Sequence, residues 1–269
     1  MRVVLNLVSL AVEIALIAGA AWLAATQPLV FAAVAAGAAL LQGLALEYAR
    51  FSHEMPFYFG RTLTGLRAAA ARVWTTGEAV IKAGAAGFVA LLMVSGTNAE
   101  RLWWTAILFG VVTFLGTTVL LRISLNWRHR ALRWGYFRLA LPLGILFSAG
   151  IFGMTEANLL PQASFSGLAY TATFELAQSP TIQDASEFLF QLSQATDSLI
   201  AKMLGFVIPE AYVPFVQIVA STNVLPGFVI AVFAVAIAQV ALIFGGHGFQ
   251  AEPVVRTETT VTGETVGQA

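Results

Sequence analysis

The chain has 269 residues, of which 58% are apolar and 10% are charged, and its mean hydropathy is +0.81. Soluble domains carry about 25% charged residues, so this composition excludes a water-soluble globular protein. Lysine plus arginine equals aspartate plus glutamate at 14 each, which leaves no basic surplus to hold a nucleic acid by its phosphates. The absence of cysteine excludes disulfides, thiolate metal sites and a cysteine nucleophile.

Six apolar runs approach or reach the length of about 20 residues that crosses the hydrocarbon core of a bilayer. The runs cover residues 3–24, 28–48, 78–95, 102–121, 136–154 and 226–246. They predict an all-α integral membrane protein, built as a six-helix transmembrane bundle. Residues 1–25 also have the charged start and small-residue end of a cleavable signal peptide, but Glu13 interrupts their apolar stretch. We therefore expect an uncleaved first span.

The runs divide the chain into six predicted segments. Residues 1–48 form a transmembrane hairpin, 49–77 a cytoplasmic basic interfacial segment, 78–155 spans three to five with an arginine-rich inner loop at 122–138, 156–225 an extracytoplasmic region, 226–246 the sixth span, and 247–269 a cytoplasmic tail. The tail is rich in Thr, Glu and Gly and has little apolar surface to bury, so we expect it to be disordered.

Basic residues indicate the orientation of the bundle. Eleven of the 14 fall in the N-terminus, the segment after span two, the loop between spans four and five, and the tail. These regions share one side of a six-span protein. Because Lys and Arg near span ends are retained in the cytoplasm, we expect a plasma-membrane protein with both termini cytoplasmic. The tryptophans, whose rings prefer the headgroup level, all lie near predicted span ends: Trp22, Trp103 and Trp104 outside, and Trp74, Trp127 and Trp134 inside.

The region 156–225 is predicted to contain an amphipathic helix. Its start is marked either by Ser179 and Pro180, as N-cap and first helical residue, or by Thr181 and Asp184, which have capping-box spacing. Two short apolar pieces follow, at 199–208 and 211–225. The two pieces together are interpreted as a re-entrant pair that lines a cavity. The interpretation we prefer is that the second piece, 211–225, lengthens span six into a helix kinked at Pro226.

Glu13 is the main candidate for a functional group, because a carboxylate inside a membrane is costly and by default indicates function. Other polar residues reach similar inner-half depths and could complete a solute or ion pathway with it: Asn6, Gln42, Thr113, Thr117 and Gln239. If these faces converge, they form a polar pocket open to the cytoplasm. The alternative is a protonated Glu13 that joins two helices by a hydrogen bond.

Glu78 and Lys82 stand four residues apart, with the glutamate first, which favours a stabilising helix pair over a gate. His53, His129 and His247 fall on separate segments and lack the spacing of a metal or haem site. The sequence also contains no nucleotide-binding, zinc-protease or hydrolase motif. We therefore expect no metal, no cofactor and no enzymatic activity.

These features predict a multi-pass membrane protein that translocates a small solute or ion, or that forms the membrane component of such a system. The alternative is a non-catalytic scaffold or assembly protein, which binds partners through its outer region and its arginine-rich inner segments. The predicted partners are the lipid bilayer and either a second copy or another membrane protein. No nucleic-acid partner is expected.

Overall fold

The computed structural model describes residues 2–59, 65–94, 98–126, 138–160, 165–175 and 178–244, and within these ranges the structure contains helices and no strand. The α-helices are α1 (Arg2–Thr26), α2 (Pro28–Phe59), α3 (Leu66–Met93), α4 (Ala99–Asn126), α5 (Ala140–Glu156), α6 (Phe165–Tyr170), α7 (Ile182–Val207), α8 (Val213–Ala220) and α9 (Pro226–Phe244). One π-helical turn (Thr171–Glu175) and two 3₁₀ turns (Glu210–Tyr212 and Thr222–Val224) connect the later helices.

Five of the described helices are long and apolar enough to cross a membrane, namely α1, α2, α3, α4 and α9. The fifth predicted run corresponds to α5, which has 17 residues and is therefore about 25 Å long at 1.5 Å per residue. The chain is thus an all-helical membrane protein with five candidate membrane-spanning helices and one shorter apolar helix.

Helix α9 forms the centre of the bundle and contacts α1, α2, α3, α4 and α5. It is apolar around its whole circumference, which is the pattern of a helix enclosed by others. Three rings meet beside it: Phe31 stacks on Phe233 at 5.0 Å between centroids, and Phe109 meets the edges of both at 5.2 and 5.3 Å. Helix α1, in contrast, lies at the periphery and exposes most of its apolar side chains.

The consecutive helices α1 to α5 run antiparallel to one another, so each end of the bundle gathers several helix termini. We name the end at which α1 turns into α2 the Gln27 end and the opposite end the Arg50 end. Gly87 of α3 lies against Ala36 of α2, and Gly110 of α4 lies against Ala21 of α1. Helix α3 therefore ends, and α4 begins, at the Gln27 end.

Close approach between helices depends on glycine at two crossings. The backbones of Gly144 in α5 and Gly227 in α9 are in direct contact, and a Cβ atom on either would overlap neighbouring backbone atoms. A Cβ atom on Gly43 of α2 would lie 2.8 Å from the Cβ of Ala79 in α3. Such small-residue crossings are typical of membrane bundles, in which packing drives helix association.

Helix α7 begins after Thr181, whose hydroxyl accepts from the backbone N–H of Asp184, while the Asp184 carboxylate accepts from the backbone N–H of Thr181. The predicted capping box is therefore confirmed, and the alternative start at Ser179 and Pro180 is wrong. The hydroxyl and the backbone N–H of Thr181 both donate to the Asp184 carboxylate, and these two hydrogen bonds hold the pKa of Asp184 below its usual value.

Helix α7 lies across the Gln27 end. The hydroxyl of Ser186 donates to the carbonyl of Leu91 near the end of α3 at 3.0 Å, and Glu187 forms an ion pair with Arg101 near the start of α4 at 2.8 Å. The guanidinium of Arg101 also lies over the Phe190 ring at 3.5 Å. These contacts attach the amphipathic helix to the ends of two neighbouring helices.

Two predicted boundaries differ from the structure. The basic segment before span three is continuous with it, because α3 is helical from Leu66 onward and its alanine-rich start contains no proline. The preferred interpretation of 211–225 as an extension of span six is wrong, since Ser221 has extended backbone angles (φ −69°, ψ 146°) that separate α8 from α9.

Several predictions fall outside the described residues. They concern positions 127–137 of the arginine-rich inner loop, including Trp127 and Trp134, the tail from residue 245 onward, residues 60–64, and the side chains of the three histidines.

Candidate functional site at the Gln27 end

A cavity of about 380 Å³ opens at the Gln27 end between α5, α7, α8 and the turn before α9. We name it the Asp197 cavity. Its lining residues are Ser148, Ile151, Phe152, Thr155 and Glu156 of α5, Gln194, Asp197, Ser198, Ala201 and Lys202 of α7, and Gln217, Ile218, Ser221 and Asn223 from α8 and the following turn. The volume falls in the range that holds small organic ligands, about 300–1,000 Å³.

Helical periodicity explains why these side chains converge. On α7 the lining residues Gln194, Asp197, Ser198, Ala201 and Lys202 recur at intervals of three or four, so they share one face of the helix. The same spacing brings the lining residues of α5 to the face that α7 covers. The cavity therefore lies along the seam between one face of α5 and one face of α7, with polar groups set into a largely apolar lining.

Asp197 organises the wall of the cavity next to α9. One carboxylate oxygen, Oδ1, accepts from the backbone N–H and the hydroxyl of Thr222 at 2.7 and 2.9 Å. The other, Oδ2, accepts from the hydroxyl of Ser221 and from the side-chain amide of Asn223, the latter at 2.8 Å. The hydroxyl of Thr222 also lies 3.1 Å from that of Ser193.

This arrangement solves two electrostatic problems at once. Asp197 is only 7% exposed, and a buried carboxylate needs several donors to replace the water it has lost. Because Ser221 is extended, the backbone before α9 lacks helical hydrogen bonds. The Asp197 carboxylate accepts a hydrogen bond from one of these backbone N–H groups, that of Thr222. It also lies near the positive end of the α9 helix dipole. Asp197 is therefore a cap that holds the break between α8 and α9.

The cavity also presents polar groups that are less enclosed than Asp197. Lys202 and Glu156 are exposed, and Ser198 and Gln217 are half-buried. They offer one cation, one carboxylate, a hydroxyl and an amide, a set that can bind a small polar molecule through charged and neutral hydrogen bonds. The sequence carried a signal for part of the cavity lining, because Gln194 and Ser198 lie four residues apart and therefore share one face of the predicted amphipathic helix.

The residues of the predicted inner pathway lie elsewhere. Glu13 is 4% exposed and faces α4, where the hydroxyl of Thr118 donates to its Oε1 atom at 3.4 Å. Asn6, on the same helix, is exposed. The structure therefore places Glu13 in a contact between two helices, and it separates Asn6 from that contact.

The remaining members of the predicted pathway lie on α9 or on the helices beside it. The amide of Gln42 donates to the carbonyl of Val232 at 2.8 Å, and the hydroxyl of Thr117 points to the carbonyl of Ala234 at 3.5 Å. Thr113 is fully buried, and Gln239 is half-buried. None of these residues lines the Asp197 cavity.

Glu78 and Lys82 belong to a larger cluster, which we name the charge ring. The ammonium of Lys82 lies 2.7 Å from Glu78 and 2.6 Å from Glu47, and the guanidinium of Arg50 lies 2.8 Å from Glu78 and 2.9 Å from Glu47. The predicted pair is present, but it is half of a set of four charged side chains that joins α2 to α3. The role of Glu47 was missed, although its position three residues before Arg50 is a helical pair spacing.

Among the described residues, no group of three histidine, aspartate or glutamate side chains is arranged to hold a metal ion. No family model, no curated protein and no solved structure matches the chain. The class of the protein therefore rests on its own helices, which are those of a helical membrane protein.

Proposed function

We propose that this membrane protein binds a small polar solute or ion in the Asp197 cavity and translocates it, or delivers it as the membrane component of a transport system. The observation that carries the proposal is the cavity itself, which collects hydrogen-bonding and charged side chains beside an interrupted helix. Secondary transporters often place their substrate next to such a discontinuity, where backbone groups are released from helical hydrogen bonds.

The floor of the cavity supports a route onward through the bundle. Below Ser148 and Ser221, α5 and α9 meet through Gly144 and Gly227. Their contact contains no side chains at these positions, so a small relative movement of the two helices changes the depth of the cavity without repacking large groups. We propose this crossing as the point at which the pathway opens.

The proposed layout has six spans, which are the five long helices and the shorter helix α5. Helix α5 runs antiparallel to α4, since Leu143 packs on Gly116 and Gly150 packs on Leu108. Six crossings bring both ends of the bundle's chain to the Arg50 end, the distribution of basic residues assigns that end to the cytoplasm, and the Asp197 cavity then opens to the outside of the plasma membrane. Maleimide labelling tests this layout, because the cysteine-free chain allows single cysteines at Ile182 and Arg67 to be compared. We expect them to react from opposite sides.

The tip of the α7–α8 pair is proposed to insert into the outer leaflet as a re-entrant or interfacial segment. Its apolar side chains have no cover, since Phe206, Val207 and Phe215 are 90%, 83% and 70% exposed. Burial in hydrocarbon stabilises a side chain of this size by about 1.5–3 kcal/mol.

The cavity is tested by filling it. Thermal unfolding of the purified full-length protein would be measured with a defined panel of probes, namely the standard amino acids, simple sugars and the salts of common cations. Any probe that binds the folded state raises the unfolding temperature. We expect Ala201→Leu, which projects a larger side chain into the cavity, to abolish that rise, and Lys202→Ala to weaken it.

The matched control is Ala211→Leu, which makes the same change at an exposed alanine that does not line the cavity. A probe that stabilises the Ala201→Leu and Ala211→Leu variants equally does not bind in the cavity, and this result would contradict the proposal. A probe that passes this test would then be followed into proteoliposomes, where flux distinguishes translocation from binding alone.

Glu13 provides a separate test of the pathway. The amide of Glu13→Gln keeps an oxygen that accepts from Thr118, so we expect folding and flux of an identified solute to stay near the wild-type values. Loss of flux with unchanged thermal stability would instead assign Glu13 as a proton- or cation-binding group of the translocation route.

The uncovered apolar tip also favours the alternative function, a non-catalytic scaffold. Removing the outer region would not test the scaffold hypothesis cleanly, because α7 forms polar contacts with α3, with α4 and with the turn before α9. A double change of Phe206 and Phe215 to serine leaves those ties in place. Under the scaffold hypothesis it releases a co-purifying membrane protein, whereas under the transport proposal it leaves probe binding in the Asp197 cavity unchanged.

A further inference from the structure

We propose that a second cleft, at the Arg50 end, binds the phosphate-bearing headgroup of an anionic phospholipid. The cleft has a volume of about 350 Å³ and lies between α2 and α3. Its lining residues are Gly43, Leu44, Tyr48, Arg72, Thr75 and Thr76. It shares no residue with the Asp197 cavity, so the proposal does not depend on the function proposed above.

The cleft contains a cation that no carboxylate neutralises among the described residues. The described acidic side chains of α2 and α3, Glu47 and Glu78, are already engaged by Arg50 and Lys82 in the charge ring. The guanidinium of Arg72 instead lies over the ring of Tyr48, at 5.2 Å from its centroid. Stacking on an aromatic face fixes the plane of a guanidinium and leaves the N–H groups at its edge free to bind a phosphate in a bidentate manner.

Hydroxyl groups beside Arg72 complete a phosphate site. Thr76 is exposed at the cleft, and its hydroxyl can donate to a phosphate oxygen. Thr75 has a different role, because its buried hydroxyl donates to the backbone carbonyls of Ala71 and Arg72. The ligand-binding donors of the cleft are therefore Arg72, Thr76 and the hydroxyl of Tyr48.

The position of the cleft along the helices favours a lipid as the source of the phosphate. Tyr48 is 20 residues beyond Pro28 at the opposite end of α2, a rise of about 30 Å, which matches the thickness of the hydrocarbon core. Trp74, beside Arg72 on α3, is 69% exposed, as expected of a ring at the membrane interface. Arg72 and Thr76 therefore lie at the level of the lipid phosphates.

The cleft also offers a path for an acyl chain. Leu44 lies one turn further toward the membrane centre than Tyr48 and is 48% exposed. Gly43 next to it has no side chain and packs on Ala79, so the surface between the two helices is a shallow apolar groove. A free phosphate would use Arg72 and Thr76 in the same way but would leave this groove empty.

Native mass spectrometry of the detergent-purified full-length protein tests the proposal, with phosphatidylglycerol and phosphatidylcholine as probes. We expect phosphatidylglycerol to bind more tightly, and Arg72→Gln to weaken it roughly tenfold, as expected for loss of a charge-assisted bidentate contact. Arg67→Gln is the matched control, because it removes the same charge from an exposed position on the same helix that does not line the cleft. Its effect should be less than about twofold.

Three results would overturn the proposal. Equal losses in Arg72→Gln and Arg67→Gln would show a diffuse attraction between charges. Equal binding of the two lipids would show that the headgroup is not read. Displacement of phosphatidylglycerol by excess inorganic phosphate would assign the cleft to a soluble anion. Because an altered fold could imitate a loss of binding, the thermal unfolding temperature of each variant is measured alongside.

Discussion

Asp197 and the charge ring, which lie at opposite ends of the bundle, are stabilised by different chemistry. At the Gln27 end, one buried carboxylate, Asp197, is satisfied by hydroxyl, amide and backbone donors. At the Arg50 end, the four members of the charge ring neutralise one another. A carboxylate held by neutral donors leaves the other polar groups around it available for a ligand. In a ring of ion pairs, the charged groups already bind one another. The difference explains why the candidate solute site lies beside Asp197 and not beside the charge ring.

The largest expected effect concerns close packing at the two ends. A methyl group at Gly227 would overlap several backbone atoms of α5 and would force the two helices apart, whereas one at Gly43 would meet the Cβ of Ala79 at 2.8 Å and its Cα at 3.1 Å. Overpacking typically costs about 1–3 kcal/mol and sometimes more. We expect Gly227→Ala to lower the thermal unfolding temperature most and Gly43→Ala to lower it less. Gly153→Ala, with open space around it, should have the smallest effect, and the reverse order would contradict the described α5–α9 crossing.

The next effect separates the two kinds of polar network. Asp197→Asn replaces one acceptor oxygen by an amide that faces donors, so we expect the free energy of unfolding to fall by about 2–3 kcal/mol. High salt should not restore it, because the partners are neutral. Unfolding measured by circular dichroism at low and high salt checks both statements, and a loss that salt abolishes would mean that Asp197 acts mainly as a charge.

A smaller effect is expected in the charge ring. Glu78 is 27% exposed, and such partly solvated ion pairs contribute about 1 kcal/mol or less. Glu78→Gln should therefore lower stability less than Asp197→Asn does. The difference from wild type should shrink further as salt screens the remaining charges. A penalty that is equally large at both salt concentrations would instead indicate that the ring is dry and tightly coupled.

The sequence predicted the all-helical membrane class because apolar length and the positions of arginine and tryptophan depend on the bilayer rather than on partners in the fold. It also predicted the capping box at Thr181, which is a local feature. It did not predict the Asp197 cavity, since Asp197 and Ser221 are 24 residues apart and their contact depends on how α7 crosses the bundle. The same limit left the partner of Glu13 open, because depth in the membrane does not fix which way a helix face turns, and the structure gives Thr118 as that partner.

The smallest expected effect is a pH dependence confined to the start of α7. The pKa of Asp184 is lowered from its ordinary value of 3.8 by the hydrogen bonds from Thr181. Folding therefore favours the ionised form, and the capping box contributes stability above that ordinary value and loses it as the pH falls through the lower pKa of the folded state. Thermal unfolding as a function of pH should show this loss in the wild type and not in Asp184→Asn, which has no carboxylate to titrate. An equal loss in both proteins would assign the acid sensitivity to other carboxylates.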